Sequence, residues 1–342
     1  MTGRIRIATA LPLSLLLALT LSGGCASRTA VTTAPTVAVT ATSALTATSA
    51  ALSAVEPQTE ATVTFAVIGD YGWRGAHELA VSKLVKSWDP AFVITTGDDY
   101  YRPAGGTGTA RYDRSTGAYY SRWLKDITTS GTIRPSGEAT VNAFFPALGN
   151  HDYADATPAP KTYLTYFRLP GTEFTNTSGN ERYYDFVEGP VHFFVLNSNK
   201  VEPSGTGSTS AQARWLKRRL AASTSTWNVV YDHHPPYSSD KVHGSSVYMR
   251  WPFATWGADA VISGHAHDYE RVMRGGIPYF VNGLGGAPRY AFATKHVAGS
   301  ARRYQADWGA QRVTVTGTTL TFEFYTVTGA LKDRFTLVVG AR

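Results

Sequence analysis

Gly264-His265-Ala266-His267-Asp268-Tyr269-Glu270-Arg271 follows a short apolar run, Ala260-Val261-Ile262-Ser263. A run of that length bounded by glycine reads as a buried strand, which puts both histidines on the loop leaving its carboxyl end. Two imidazoles one residue apart point in divergent directions. That geometry suits two neighbouring metal ions, or one metal and one substrate, better than a single shared ion. A His-x-His on a loop is often merely solvated, so its meaning depends on the loops it meets.

Four further runs end in the same way. Thr62 to Ile68 reads as a strand leading into Gly69-Asp70-Tyr71-Gly72, and Phe92 to Thr96 leads into Gly97-Asp98-Asp99-Tyr100-Tyr101. Between them Leu79, Ala80, Leu84, Val85 and Trp88 recur at helical spacing over 76–88. A strand, helix, strand unit predicts parallel strands whose ligands bind at the carboxyl ends. Phe144 to Leu148 then runs into Gly149-Asn150-His151-Asp152, and Asn228 to Tyr231 into Asp232-His233-His234-Pro235-Pro236. Singly, each loop has an ordinary reading as a turn or a solvated histidine. Jointly, carboxylate, amide oxygen and imidazole form a set suited to zinc, manganese or iron.

The remaining chain is less informative. Pro103 to Gly117 is Gly-rich and lacks the pattern that cradles a nucleotide phosphate, so it reads as a surface loop. A helix is expected over Tyr119 to Ile127, and residues 153–181, with a helix near Tyr163, are expected to form a pocket rim. His192 to Asn197 reads as a strand, and Ser210 caps a helix carrying Trp215, Leu216 and Leu220, with Lys217, Arg218 and Arg219 outward. From Pro278 onward the pattern is all strand (279–282, 312–315, 320–325 and 334–339), which suggests a second sheet packed on the first. His77 and His192 have no partner motif and read as structural.

At 342 residues and 43% hydrophobic, the chain can bury a sizeable core. Arg4 and Arg6 precede an apolar run from Leu11 to Leu21, then Ser22-Gly23-Gly24 and Cys25, the single cysteine. Residues 1–24 therefore read as an export signal, too short in apolar length for a membrane span. Cys25 resembles a bacterial lipidation site, and ordinary secretion is the alternative; both readings put the mature protein outside the cytoplasm. Residues 25–60, mostly Thr, Ala, Val and Ser, read as a disordered tether, and the folded domain as 61–342. Removing Arg4 and Arg6 leaves 30 Lys and Arg against 25 Asp and Glu, a mildly basic balance that favours anionic substrates. No nucleic-acid module is legible, and the sequence says nothing of oligomeric state.

Taken together, Asp70-Tyr71-Gly72, Gly97-Asp98-Asp99-Tyr100-Tyr101, Gly149-Asn150-His151, Val230-Tyr231-Asp232-His233 and Gly264-His265-Ala266-His267 resemble the five motifs of the calcineurin-like metallophosphoesterases, and most of all those of the purple acid phosphatases. The resemblance implies an α/β fold, a four-layer α/β/β/α sandwich of two mixed sheets. It implies two metal ions. The first, Fe3+ in the family, would be held by Asp70, Asp98, Tyr101 and His267; the second, Fe2+, Zn2+ or Mn2+, by Asp98, Asn150, His233 and His265. Tyr100 competes with Tyr101, whose spacing fits better, and the family's His-x-Pro spacing selects His233 over His234. His151 would bind phosphoryl oxygens, and His243, a looser match, would be a second substrate histidine or a solvated loop residue. The implied activity is phosphomonoester hydrolysis by direct attack of a metal-bound hydroxide on small phosphorylated substrates. Alternatives are a diesterase or nucleotidase of the same fold, or a surface lipoprotein that binds phosphorylated ligands without turnover.

Overall fold

Val63–Ile68 forms β1, and its last four side chains are fully buried. Near-continuous burial is what a strand covered on both faces requires. The computed structural model describes residues 62–125, 127–131, 137–153 and 159–340. The expected signal, Cys25 and the tether to residue 60 lie outside them. Along the chain follow β2 (Phe92–Thr95), β3 (Phe144–Pro146), β4 (Tyr184–Glu188), β5 (Val191–Val195), β6 (Trp227–Tyr231), β7 (Ala260–Ser263) and β8 (Tyr269–Arg274). The last five are β9 (Ile277–Asn282), β10 (Ser300–Tyr304), β11 (Gly309–Val315), β12 (Thr319–Thr326) and β13 (Leu331–Val338).

These strands make two mixed sheets, ordered β13-β12-β11-β1-β2-β3 and β10-β8-β9-β7-β6-β5-β4. In the first, β1, β2 and β3 are parallel; in the second, β5, β6, β7 and β9 are. The sheets face each other across an aromatic core. Phe65 of β1 meets Phe193 of β5 edge-on at 5.2 Å, and Phe92 of β2 meets Phe193 at 5.4 Å. Side-chain alternation sorts the second sheet's two faces. Phe193, Val229 and Ile262 turn toward the first sheet, whereas Phe194, Val230 and Val261 turn outward onto Trp215, Leu216 and Leu220 of helix Ala211–Ala222. Helix Ala76–Trp88, of the predicted length, packs against β11. This is the expected four-layer α/β/β/α arrangement of two mixed sheets and flanking helices.

Three expectations are corrected. The strands beyond β9 do not build a separate second sheet: β11 pairs antiparallel with β1, so β11, β12 and β13 extend the first sheet. Pairing over that sequence distance is invisible in a local pattern. The stretch 103–117 is not a plain surface loop, because Ser115 Oγ donates to the Asp99 carbonyl at 2.6 Å and the Tyr71 hydroxyl bonds Thr116 Oγ1 at 2.9 Å. These buried bonds hold the Gly-rich segment under the Asp98 loop. The helix expected over 119–127 breaks into one turn at Ala118–Tyr120 and a 3-10 turn at Ser121–Trp123, and Leu124 is extended so that it and Trp123 enter the core. Among the described residues no helix is long and apolar enough to cross a membrane.

Candidate metal centre

β1, β2, β3, β6 and β7 end side by side, and the loops beyond them carry Asp70, Asp98, Asn150, His233 and His265. Three of these residues occupy the left-handed backbone region that side chains avoid: Asp70 (φ 54°), Asp98 (φ 55°) and His265 (φ 67°). Such conformations cost about 1–3 kcal/mol each and persist where surroundings over-determine them, commonly at functional sites. The surroundings here are backbone bonds to the same side chains: His265 N donates to Asp70 Oδ2 at 2.8 Å, and His151 N donates to Asp98 Oδ1 at 2.8 Å.

Two groups of acceptor atoms result. In the first, the Tyr101 hydroxyl lies 3.1 Å from Asp70 Oδ1 and 3.0 Å from His267 Nε2, and that nitrogen lies 3.4 Å from Asp70 Oδ1. His267 Nδ1 donates to the Pro288 carbonyl at 2.6 Å, so Nε2 faces the carboxylate with a proton or a metal ion between them. In the second, His233 Nδ1 donates to the Thr96 carbonyl at 2.8 Å, leaving the Nε2 lone pair 3.0 Å from Asn150 Oδ1, 3.1 Å from His265 Nδ1 and 3.4 Å from Asp98 Oδ1. An imidazole lone pair, a second imidazole nitrogen, an amide oxygen and a carboxylate oxygen converging at these distances are a donor set suited to a cation. Asp70, Asp98 and His233 present ligand atoms within 4.8 Å of one another, which links the two groups. The residues present therefore fit two metal ions.

Charge around the centre agrees with that fit. Burial, with the Asp98 and Asp70 carboxylates, pushes the Tyr101 phenol well above its ordinary value, so a tyrosinate there requires a cation. Burial also pushes Asp70 up, but the hydrogen bond and charge of His267 outweigh it and hold the carboxyl below its usual range. Burial and the imidazoles of His233, His234, His243 and His267 hold His265 far below its ordinary value, hence neutral and able to ligate. Asp99 is pushed up to about 8 by burial and accepts the Thr95 hydroxyl at 2.5 Å; Asp152, likewise raised by burial, accepts the Gly149 amide at 2.8 Å. Asp152 holds loop backbone directly, and Asp99 does so through Thr95, whose Oγ1 accepts the Gly97 amide at 3.4 Å.

The remaining candidates fall on either side of it. Tyr100 turns away onto Tyr112, with the Arg111 guanidinium 5.2 Å from its ring, so Tyr101 alone of the pair reaches the acceptors. His234 stands beside His265, ring centroids 4.4 Å apart. Its ring is otherwise engaged: Ser198 Oγ accepts the His233 and His234 amides at 3.3 and 2.9 Å, which leaves the hydroxyl proton for His234 Nδ1 at 2.9 Å. Although a His234 ring nitrogen lies within 4.8 Å of ring nitrogens of His233 and His265, its ring proton then sits on Nε2, a poor state for a ligand. His151 lies at the rim, its ring 4.3 Å from that of Tyr101 and its Nε2 4.0 Å from Asp98 Oδ2. His243 is brought to 4.1 Å from the His265 ring. His77 stacks on Trp308 and His192 bonds Asp185, both away from the centre. Sequence reading missed Ser198, the Thr96 and Pro288 carbonyls, and Tyr290, whose ring stacks on His267 at 4.1 Å. Backbone acceptors carry no side-chain signal, and Ser198 and Tyr290 lie outside any readable motif.

Sheet order, strand-end loops and acceptor set together are those of a metallophosphoesterase. The calcineurin-like phosphoesterase family model matches residues 63–269, and the chain belongs to that family. It is similar to purple acid phosphatase 23 of Arabidopsis thaliana, 28% identical over 61% of this chain and 47% of the relative. It is also similar to the tartrate-resistant acid phosphatase type 5 of Mus musculus, 24% identical over 66% of this chain and 72% of the relative. The chain thus spans about half the length of the plant relative. Among solved structures, the purple acid phosphatase PPD1 from yellow lupin seeds superposes with a TM-score of 0.63 at 17% identity, covering 82% of this chain and 54% of that one. GAP50, the anchor in the inner membrane complex of Plasmodium, superposes at 0.61 and 16% identity over 83% and 90%.

Proposed function

We propose that the chain is an exported phosphomonoesterase of the purple acid phosphatase type that holds two metal ions. The first would be held by Asp70, Asp98, Tyr101 and His267, and the second by Asp98, Asn150, His233 and His265. The observation that carries this reading is the convergence of His233 Nε2, His265 Nδ1, Asn150 Oδ1 and Asp98 Oδ1, a set of nitrogen and oxygen ligands suited to a divalent cation. Such a pair supplies Lewis-acid charge to phosphoryl oxygens and an attacking oxygen at neutral pH. A hard phenolate at Tyr101 favours Fe3+ in the first position, with Fe2+, Zn2+ or Mn2+ in the second.

The chain's own residues bind and orient. His151, 43% exposed at its side chain and braced on Tyr101, can donate to a phosphoryl oxygen or to the departing alkoxide. His243 can contact the ester from the His265 side. Export rests on the residues before Cys25, with lipidation of Cys25 as its membrane-anchored form.

Asp98→Ala tests the reading, because Asp98 serves both groups. Elemental analysis should find metal depleted, and hydrolysis of 4-nitrophenyl phosphate should fall at least a hundredfold. Unimpaired hydrolysis sinks the proposal. A metal-loaded wild-type sample that binds phosphate but hydrolyses no ester turns it toward a binding role. A visible band that disappears in Tyr101→Phe supports phenolate on Fe3+, and a colourless loaded protein removes Fe3+ from the first position.

A further inference from the structure

A cleft of about 360 Å3 opens beside His265, lined also by Asn199, Lys200, His234, Ser246 and Tyr248. No carboxylate lines it. The Lys200 ammonium sits 5.1 Å from the centre of the Tyr248 ring and, among the described residues, pairs with no acid. That ring is fixed in turn, since the Tyr248 hydroxyl donates to the Ser198 carbonyl at 2.9 Å. Ser198 Oγ also sets the His234 tautomer, which leaves the Nε2 proton without a protein acceptor among the described residues. One residue therefore aims both an ammonium platform and an imidazole N–H at the same space. Donors with net positive charge and no acid describe an anion site.

We propose that this cleft binds a second anionic group on the substrate, so that the chain prefers phosphate esters whose alcohol carries a further phosphate or carboxylate. The inference rests on the phosphoesterase reading above. His265 links the two, because it lines the cleft and belongs to the second group of metal acceptors. An ester phosphate at the metal centre therefore places its alcohol within reach of Lys200. An ordinary solvated lysine would leave rates on mono- and dianionic substrates in the same ratio.

The test compares matched pairs on the metal-loaded protein: fructose 1,6-bisphosphate with fructose 6-phosphate, and 3-phosphoglycerate with glycerol 3-phosphate. The expected result is a higher kcat/KM for the member with the extra anion, a ratio that Lys200→Ala lowers about tenfold through KM and that Lys200→Arg largely restores. The pair that responds more tells phosphate from carboxylate. A ratio unmoved by Lys200→Ala overturns the subsite while hydrolysis itself leaves the phosphatase reading standing. If no ester is hydrolysed, that reading fails by itself, and calorimetry decides the subsite. Lys200→Ala should then weaken pyrophosphate binding about tenfold more than orthophosphate binding, and equal losses overturn it.

Discussion

A Cβ added at Gly149 would lie 2.1 Å from Asp98 Oδ1 and 2.2 Å from Asp98 N, so this glycine is what lets the Asn150 loop approach the shared carboxylate. Asp98 is already at φ 55° and cannot retreat without leaving the conformation its neighbours enforce. Gly149→Ala should therefore displace Asp98, lower metal content, and reduce hydrolysis of 4-nitrophenyl phosphate by about a hundredfold or more. A folded variant with full metal and full rate would show that Asp98 does not hold the centre together. The same close approach explains what was legible residue by residue. The Gly-Asp, Gly-Asn-His and Gly-His-x-His pairings could be read because both the small residue and the ligand are side-chain requirements. Tyr101 over Tyr100, and His233 over His234, could be chosen only by motif spacing, because each choice depends on which way a loop turns. Ser198 decides the histidine pair, yet nothing in Leu196-Asn197-Ser198-Asn199 distinguishes it from any loop serine.

Elements whose residues follow a single period were legible, and those that trade apolar side chains for buried polar pairs were not. Helix Ala211–Ala222 begins where Ser210 Oγ accepts the Ala213 amide at 3.1 Å, the cap its sequence announces. Removing that cap in Ser210→Ala should cost about 1 kcal/mol, a drop of about 2–4 °C in Tm for a domain of this size. Thermal denaturation followed by circular dichroism checks it, and an unchanged Tm would mean that water replaces the hydroxyl without loss. β8 shows the opposite case. Its Glu270 accepts the Ser239 amide and hydroxyl, both at 2.6 Å, and its Arg271 pairs with Asp333 of β13 at 2.7 Å. Charged residues inside the strand mask its alternation, although partners on distant elements satisfy them. β4 is hidden in the same way, since Asp185 faces His192 of β5 at 3.0 Å and Arg219 at 3.1 Å. β10, rich in arginine at the sheet's end, reads as loop because an edge strand needs only one paired side.

Across the whole molecule, buried carboxylates of opposite tendency set how stability follows pH. Burial pushes Asp185 up, but hydrogen bonds from His192 and Thr177 outweigh it and hold its carboxyl below the usual range; Glu323, bound by Arg312 and Arg334 despite its burial, behaves alike. A depressed carboxylate contributes stability that is present above its unfolded value of about 4 and is lost as pH falls through the folded one. Glu78 runs the other way. Burial pushes it well above the usual range, its Oε2 accepts the Arg74 amide at 2.7 Å, and its Oε1 has no partner among the described residues. The folded chain keeps that proton when the unfolded chain has released it. Its contribution is therefore fully present below about pH 4 and declines as pH rises toward the folded value. Glu78→Gln keeps the shape and the amide bond but has no proton to lose, so its stability relative to wild type should improve steadily from pH 5 to pH 8. Because both chains carry the same metal centre, calorimetric Tm differences between them isolate Glu78 from any pH-dependent loss of metal. Asp185→Asn should show the reverse slope, its deficit shrinking as pH falls below about 4. A Glu78→Gln difference that stays constant between pH 5 and 8 would place that carboxyl in water instead of in the buried surroundings it shares with Tyr120.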